Sequence, residues 1–292
     1  MNTRNKSLTN RLRFAALILT LLGALAAFYY HVQNKVRVET VHFSSNLLAR
    51  IMPYNVVLPP GYRLITSRGI RYPVVYLLHG WSGHYDSWLK GTALEQYAAE
   101  HKMIIITPEG QNGWYTDSAT ATSDKYETYI TQELIPDVDS RFRTVSHRRG
   151  RAVAGYSMGG FGALKLGFKH PEMFSLAASM SGALDATTRT DDSSIMQTFG
   201  ELNSPIRQAN DLQRLARDFP AQRRSLLPYL YLDCGMDDPW LVANRAFADI
   251  LLERKMVHEY RQLPGGHVWP YWDQQVREVL RVAAAWTVPP EE

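Results

Sequence analysis

RAVAGYSMGGFGALKLGFK, residues 151–169, is the stretch that decides the fold. Its opening run, Arg151 to Gly155, is short, apolar and strand-like. Its close, Phe161 to Lys169, carries apolar residues at helical spacing and stops before His170-Pro171. Between them stands Gly155-Tyr156-Ser157-Met158-Gly159, with a further glycine at Gly160. Glycines around a serine let the chain turn sharply from strand to helix and lift the hydroxyl out at the strand's end. At ordinary Gly and Ser frequencies a chain of this length holds the five-residue pattern by chance with odds of roughly one in ten, so the setting has to carry the argument. A hydroxyl is a weak nucleophile that needs exposure and a neighbouring base, and a strand-to-helix turn supplies the exposure. Ser157 is therefore the candidate nucleophile.

Outward from this turn, strand and helix signals alternate. Val36 to Phe43 and Met52 to Leu58 read as strands joined by a polar bend, the second stopped by Pro59-Pro60-Gly61. Pro73 to His79 (PVVYLLH) and Met103 to Thr107 are continuous apolar runs, as strands covered on both faces require. Ser175 to Met180, Tyr229 to Cys234 and His258 to Leu263 are further strands. Helices are expected over Trp88 to His101, Tyr126 to Val138, Leu241 to Leu252 and Asp273 to Trp286. A polar stretch from about Asp185 to Pro220 reads as an insertion of short helices. The pattern predicts an α/β architecture: a doubly wound, mostly parallel sheet with an antiparallel start and a helical insertion before the Tyr229 strand. Ligands of such sheets lie beyond the carboxyl ends of the strands, so the chemistry is expected in the loops that follow them.

Three of those loops carry further signals. Leu77-Leu78-His79-Gly80-Trp81-Ser82-Gly83 follows a buried strand. Acyl transfer needs backbone N–H groups aimed at a developing oxyanion; Met158, after the nucleophile, and Trp81, in this loop, are the expected donors. His79 reads as a structural histidine bonding the loop backbone, and His79 with His84 lacks a third ligand at metal spacing. Gly265-Gly266-His267-Val268-Trp269 places a histidine after the last strand and before the last helix. The chain has nine histidines; His267 is singled out as the base because it stands last in the order Ser…Asp…His. The acid comes from Asp233, Asp237 or Asp238 around the Cys234-Gly235 turn. Asp233 falls within the strand, Asp238 has the reach of a loop residue, and Asp237 is the runner-up. Trp114, Tyr115 and Trp269, with Tyr85, Trp88, Trp81 and Trp240, are expected to form an aromatic rim for an apolar or sugar-like substrate.

Composition limits the partners. Arg4, Lys6, Arg11 and Arg13 are four of the 32 basic residues, and the remaining 28 balance the 28 acidic ones. The body of the chain is thus neutral and makes no case for nucleic acid. The basic start runs into Phe14 to Tyr30, 17 residues without a charge, with Ala24-Leu25-Ala26 offering a cleavage site after Ala26. Residues 1–31 are expected to be a signal peptide or an uncleaved membrane anchor, and residues 32–292 a single domain exported to the periplasm or beyond. Membrane contact is expected only through the uncleaved segment. Cys234 is the single cysteine, excluding an intrachain disulfide, and its apolar strand makes it a buried structural thiol.

NVVLPPGY (55–62), VVYLLHGWSGHYDSW (74–88), NGWYTD (112–117), ELIPDVDSRFRT (133–144), AVAGYSMGGFGALKLGFKHPEMF (152–174), SGALD (181–185), LDCGMDD (232–238) and PGGHVWPYW (264–272) together resemble the esterase D and antigen 85 family. Within it the chain is similar to bacterial tributyrin-type carboxylesterases and to feruloyl or acetylxylan esterase domains. The resemblance covers about residues 36–287. It implies the α/β-hydrolase fold and hydrolysis of short-chain acyl or aryl esters, small-molecule or glycan-linked, through an acyl-enzyme without metal or organic cofactor. It also implies Ser157 and His267 as catalytic residues with Asp238 at the acid position, and Trp81 and Met158 as oxyanion donors. A histidine stands in the His-Gly loop where the antigen 85 branch has an acidic residue, which argues against mycolyl transfer. The export signal argues against S-formylglutathione hydrolysis, a cytosolic reaction. The rival readings are acyl transfer to a cell-envelope glycan or lipid acceptor and a catalytically silent binding module on the same scaffold.

Overall fold

The computed structural model describes residues 3–291, with side chains from Arg13 onward; those of Arg4, Lys6 and Arg11 lie outside the described set. Among the described residues, eight strands form one sheet: β1 (Arg37–Ser45), β2 (Arg50–Leu58), β3 (Val74–Leu78), β4 (Ile104–Pro108), β5 (Arg151–Tyr156), β6 (Leu176–Met180), β7 (Tyr229–Gly235) and β8 (His258–Leu263). Their order is β1-β2-β4-β3-β5-β6-β7-β8. β2 runs antiparallel to β1 and β4, and the other pairs are parallel. This is the α/β-hydrolase arrangement, antiparallel start included.

The apolar runs follow from the sheet being covered on both sides. Along β3, Val74, Tyr76 and Leu78 join one core with Ile104, Ile106 and Val153, while Val75 and Leu77 join the other with Ile105, Ala152 and Ala154. Successive side chains point to opposite faces, so two buried faces leave no position for a polar residue. The second core is closed by the helix Trp269–Trp286, whose Trp272, Val276, Val279, Leu280 and Ala283 form one buried stripe. That helix starts four residues before the expected Asp273. Val268 is extended, and Pro270 occupies the first turn, where its missing N–H costs nothing.

The expected Trp88–His101 helix is two pieces, Ser87–Gly91 and Leu94–Glu100. Gly91 lies against the Trp269 ring, where a Cβ would come within 2.2 Å, and the Ala93 N–H leaves the helical pattern to meet Asp273 Oδ1 at 2.8 Å. The insertion between β6 and β7 is helical, with Ser193–Phe199, Pro205–Ala209 and Leu212–Asp218 each capped at its start by the side chain of Asp192, Ser204 or Asp211. The N-terminal helix, Thr3–Gln33, contains a 21-residue apolar span, Arg13–Gln33, with none of it buried.

Candidate active site

Ser157 sits between β5 and the helix Met158–Lys169, with φ +54° and ψ −120°. This conformation is costly for any residue with a Cβ. Backbone bonds hold it: Ser157 N–H donates to Met180 O at 3.0 Å, while Ser157 O accepts from Phe161 N at 3.1 Å and Ala183 N at 3.2 Å. The helix begins at Met158, three residues before the expected Phe161, because the flanking glycines belong to a packed crossing. A Cβ on Gly159 would stand 2.3 Å from Leu78 O, and one on Gly155 2.5 Å from the Gly159 carbonyl carbon. The tight turn and the close strand-to-helix approach are thus one requirement.

His267 Nε2 lies 3.0 Å from Ser157 Oγ, and its Nδ1 lies 2.9 Å from Asp238 Oδ2. An ionised carboxylate only accepts, so Nδ1–H donates to Asp238 and Nε2 takes the Ser157 hydroxyl proton's bond. Asp238 Oδ1 is separately occupied by the Trp240 N–H at 2.8 Å. Its side chain is fully buried, whereas His267 is one-quarter exposed. Asp237 points to solvent. Asp233 lies in β7, with Oδ1 accepting from Tyr271 OH at 2.9 Å.

Burial pushes the Asp233 carboxyl up to about 8, against the stabilising Tyr271 bond and the nearby Arg261 charge. The folded chain therefore holds a proton that the unfolded chain releases near pH 4. Stability from this group is full below pH about 4 and is lost as the pH rises toward about 8. Asp233→Asn keeps an acceptor for Tyr271 and is expected to flatten the fall in melting temperature between about pH 5 and 7.5. Parallel slopes for the two proteins would refute the assignment. Burial likewise pushes the Cys234 thiol up to about 12, which leaves it inert.

The His-Gly loop is pinned through His79, whose Nδ1 bonds Gly80 O at 2.7 Å and whose Nε2 accepts the Gly110 N–H at 2.9 Å. Both ring nitrogens are engaged with backbone, Nδ1–H as a donor and Nε2 through its lone pair as an acceptor. Glu109 lies beside it, its Oε1 accepting from the Gln111 N–H at 2.7 Å and its Oε2 from the Tyr85 N–H at 3.3 Å. The Gly80–Trp81 peptide is thus tied at its carbonyl. Neither the Trp81 N–H nor the Met158 N–H has an acceptor among the described residues, and as the first helical residue Met158 has no intrahelical partner.

Ser157 and His267 line a cleft of about 380 Å³ walled by Trp81, Tyr156, Trp269 and Trp272. Trp272 meets the His267 ring edge-on at 4.9 Å, and Tyr156 packs against both Trp269 and Trp272. Of the expected rim, Trp81 and Trp269 are here; Tyr85, Trp88, Trp114, Tyr115 and Trp240 are not, Trp88 being wholly buried with its Nε1–H on Leu78 O at 3.2 Å. Tyr115 is wholly buried, its hydroxyl donating to His79 O at 3.0 Å and its carbonyl held by the buried Lys165 Nζ at 2.5 Å. Trp114 is buried against Phe161 and Phe199. Trp240 faces Arg189 on another surface. Both loop aromatics have positive φ, 51° and 50°, which turns them inward; spacing alone carries no sign of this. Tyr156 and Trp272, absent from the expected rim, also wall the cleft, although both stand inside the motifs around Ser157 and His267. A second, polar cavity of about 630 Å³ shares Trp81, Ser82 and Gly83 and extends over Asn112, Asp124 and Gln197.

Residues 45–282 match the family model described as "Putative esterase". An acetyl esterase of Caldicellulosiruptor saccharolyticus is 27% identical over 69% of this chain and 79% of its own. An esterase of Mycobacterium tuberculosis is 30% identical over 81% of this chain, which spans 57% of that protein's length. Among solved structures, a fluorophosphonate-binding serine hydrolase of Staphylococcus aureus is 25% identical with a TM-score of 0.78, covering 86% of this chain and 99% of its own. The chain belongs to this esterase family and is a serine hydrolase of the α/β-hydrolase fold.

Proposed function

We propose that residues 32–292 hydrolyse short-chain acyl or aryl esters, small-molecule or glycan-linked, through an acyl-enzyme on Ser157. The observation that carries this is the hydrogen-bonded chain Asp238–His267–Ser157 at an aromatic-walled cleft. His267 Nε2 takes the Ser157 proton as Oγ attacks the ester carbonyl, and the Trp81 and Met158 N–H groups receive the oxyanion. As the tetrahedral intermediate collapses, His267 gives its proton to the departing alkoxide, releasing the alcohol. Water, deprotonated by the same nitrogen, then adds to the acyl-enzyme, and Ser157 leaves with the proton as the free acid forms. Asp238 holds the tautomer and stabilises the imidazolium.

The small cleft supports a short acyl group. Each methylene that a pocket buries adds about 0.8 kcal/mol, roughly four-fold in kcat/KM. With p-nitrophenyl acetate, butyrate and octanoate, kcat/KM is expected to rise to butyrate and gain nothing further at octanoate. Continued four-fold gains per methylene would mean a deep acyl channel and overturn the short-chain reading. Free acid is the expected product; an acylated glycan or lipid acceptor in its place would establish transfer.

We further propose that residues 1–31 export the chain and that residues 14–30 anchor it where they are not cleaved. The exposed apolar span of the N-terminal helix supports this. The same assay on intact cells with a charged, membrane-impermeant ester is expected to give full activity, and activity only after lysis would refute export.

A further inference from the structure

The proposed mechanism relies on the Trp81 N–H, yet Trp81 lies at a turn that is half exposed and locally strained. Gly80 to Gly83 close a β-turn through the Gly83 N–H to Gly80 O bond at 3.0 Å. Its third residue, Ser82, has φ +57°. A turn with positive φ at that position is the type that strongly favours glycine, and serine there pays for its Cβ. Left to itself, such a turn relaxes toward forms in which the flanking peptides rotate.

Two contacts oppose that rotation, one on each side of Trp81. His79 Nδ1 holds the Gly80 carbonyl, and since N–H and C=O of a trans peptide point in opposite directions, this aims the Trp81 N–H away from His79. On the other side, the Ser82 N–H donates to Asn112 Oδ1 at 2.7 Å. Asn112 is itself well placed to act as an anchor. Its loop is tied to His79 by the Gly110 N–H at 2.9 Å and closed by Gly113 N–H to Gly110 O at 3.2 Å. Gly113 packs so closely on the Tyr126 ring that a Cβ would come within 2.1 Å. Gln111 is fixed by Arg50 Nη1 and Tyr126 OH at 2.9 and 2.6 Å.

We propose that Asn112 is a positioning residue of the reaction: by accepting the Ser82 N–H it holds the Gly80–Gly83 turn in the form that leaves the Trp81 N–H free for the substrate oxyanion. The inference rests on the serine-esterase reading above and adds to it a residue that touches neither substrate nor reacting atoms. Its effect falls on the transition state, because only there does the carbonyl oxygen carry the charge that the amide meets.

The test is a cycle of Asn112→Ala, Ser82→Gly and the double variant in the full chain, assayed with p-nitrophenyl butyrate beside Ser157→Ala. Asn112→Ala is expected to lower kcat roughly five- to ten-fold with KM unchanged, the worth of one hydrogen bond to a strained turn. Adding Ser82→Gly removes the Cβ cost of the positive φ and is expected to restore most of the lost kcat, which a general loss of folding would not allow. An unchanged kcat in Asn112→Ala overturns the proposal. So does a rise in KM at constant kcat, which would make Asn112 a substrate contact, and so does a fall in kcat that Ser82→Gly leaves in place. Turnover surviving in Ser157→Ala brings down the serine mechanism itself, whereas its loss there beside an unaffected Asn112→Ala brings down this inference alone.

Discussion

The Ser157→Ala protein is expected to lose about four to six orders of magnitude in kcat on p-nitrophenyl butyrate while folding as the parent does. The chemical loss is large because, of the hydroxyls lining the cleft, Ser157 is the one hydrogen-bonded to His267 among the described residues; Cys234 is buried, with its thiol pushed up to about 12. The structural loss is small because the turn is held by backbone groups. Ser157 N–H and O keep their bonds to Met180, Phe161 and Ala183 whatever side chain stands there. Alanine has the same Cβ as serine, so the cost of φ +54° is unchanged. Among the described residues, the side-chain bond forfeited is the one to His267 at 3.0 Å. Melting temperature is therefore expected within a few degrees of the parent, and labelling by a fluorophosphonate probe is expected to vanish. Residual turnover should reflect the oxyanion donors and binding alone, so adding His267→Ala should lower it little further, since members of one catalytic unit are not additive. An active Ser157→Ala protein would remove the basis of the mechanism.

The strands were legible because each apolar run has to fill two buried faces, and the turn at Ser157 was legible because glycine at 155 and 159 answers a backbone approach that no other residue allows. What local pattern did not disclose was always a long-range tie. The break between Ser87–Gly91 and Leu94–Glu100 depends on Trp269 and Asp273, nearly two hundred residues away in sequence. Asp237 and Asp238 are equivalent as text; they separate only when Asp238 meets His267 and Trp240 while Asp237 faces water. Trp114 and Tyr115 look like a rim because aromatic residues after a strand suit one. Their inward course is set by two consecutive left-handed residues and by a buried lysine on the nucleophile's own helix.

Asp238→Asn is the second large effect, expected to lower kcat by about 10⁴, the size of loss this change causes in serine proteases with the same arrangement. Here the direction of the new amide is fixed by a neighbour. The Trp240 N–H at 2.8 Å from Oδ1 requires an acceptor, so the asparagine must place its oxygen there and its NH₂ at the position of Oδ2, 2.9 Å from His267 Nδ1. Nδ1 must then accept, which puts the ring proton on Nε2 and leaves no lone pair for the Ser157 hydroxyl. The geometry of the site survives while the base is in the wrong tautomer. The side chain is fully buried, and exchanging a carboxylate for an amide of equal size leaves no cavity, so stability is expected to change little. Asp237→Asn, at an exposed neighbour, serves as the control and is expected to keep parental kcat. Reversal of the two results would move the acid to Asp237. A modest loss in Asp238→Asn, under about ten-fold, would show that His267 keeps its working tautomer without the carboxylate.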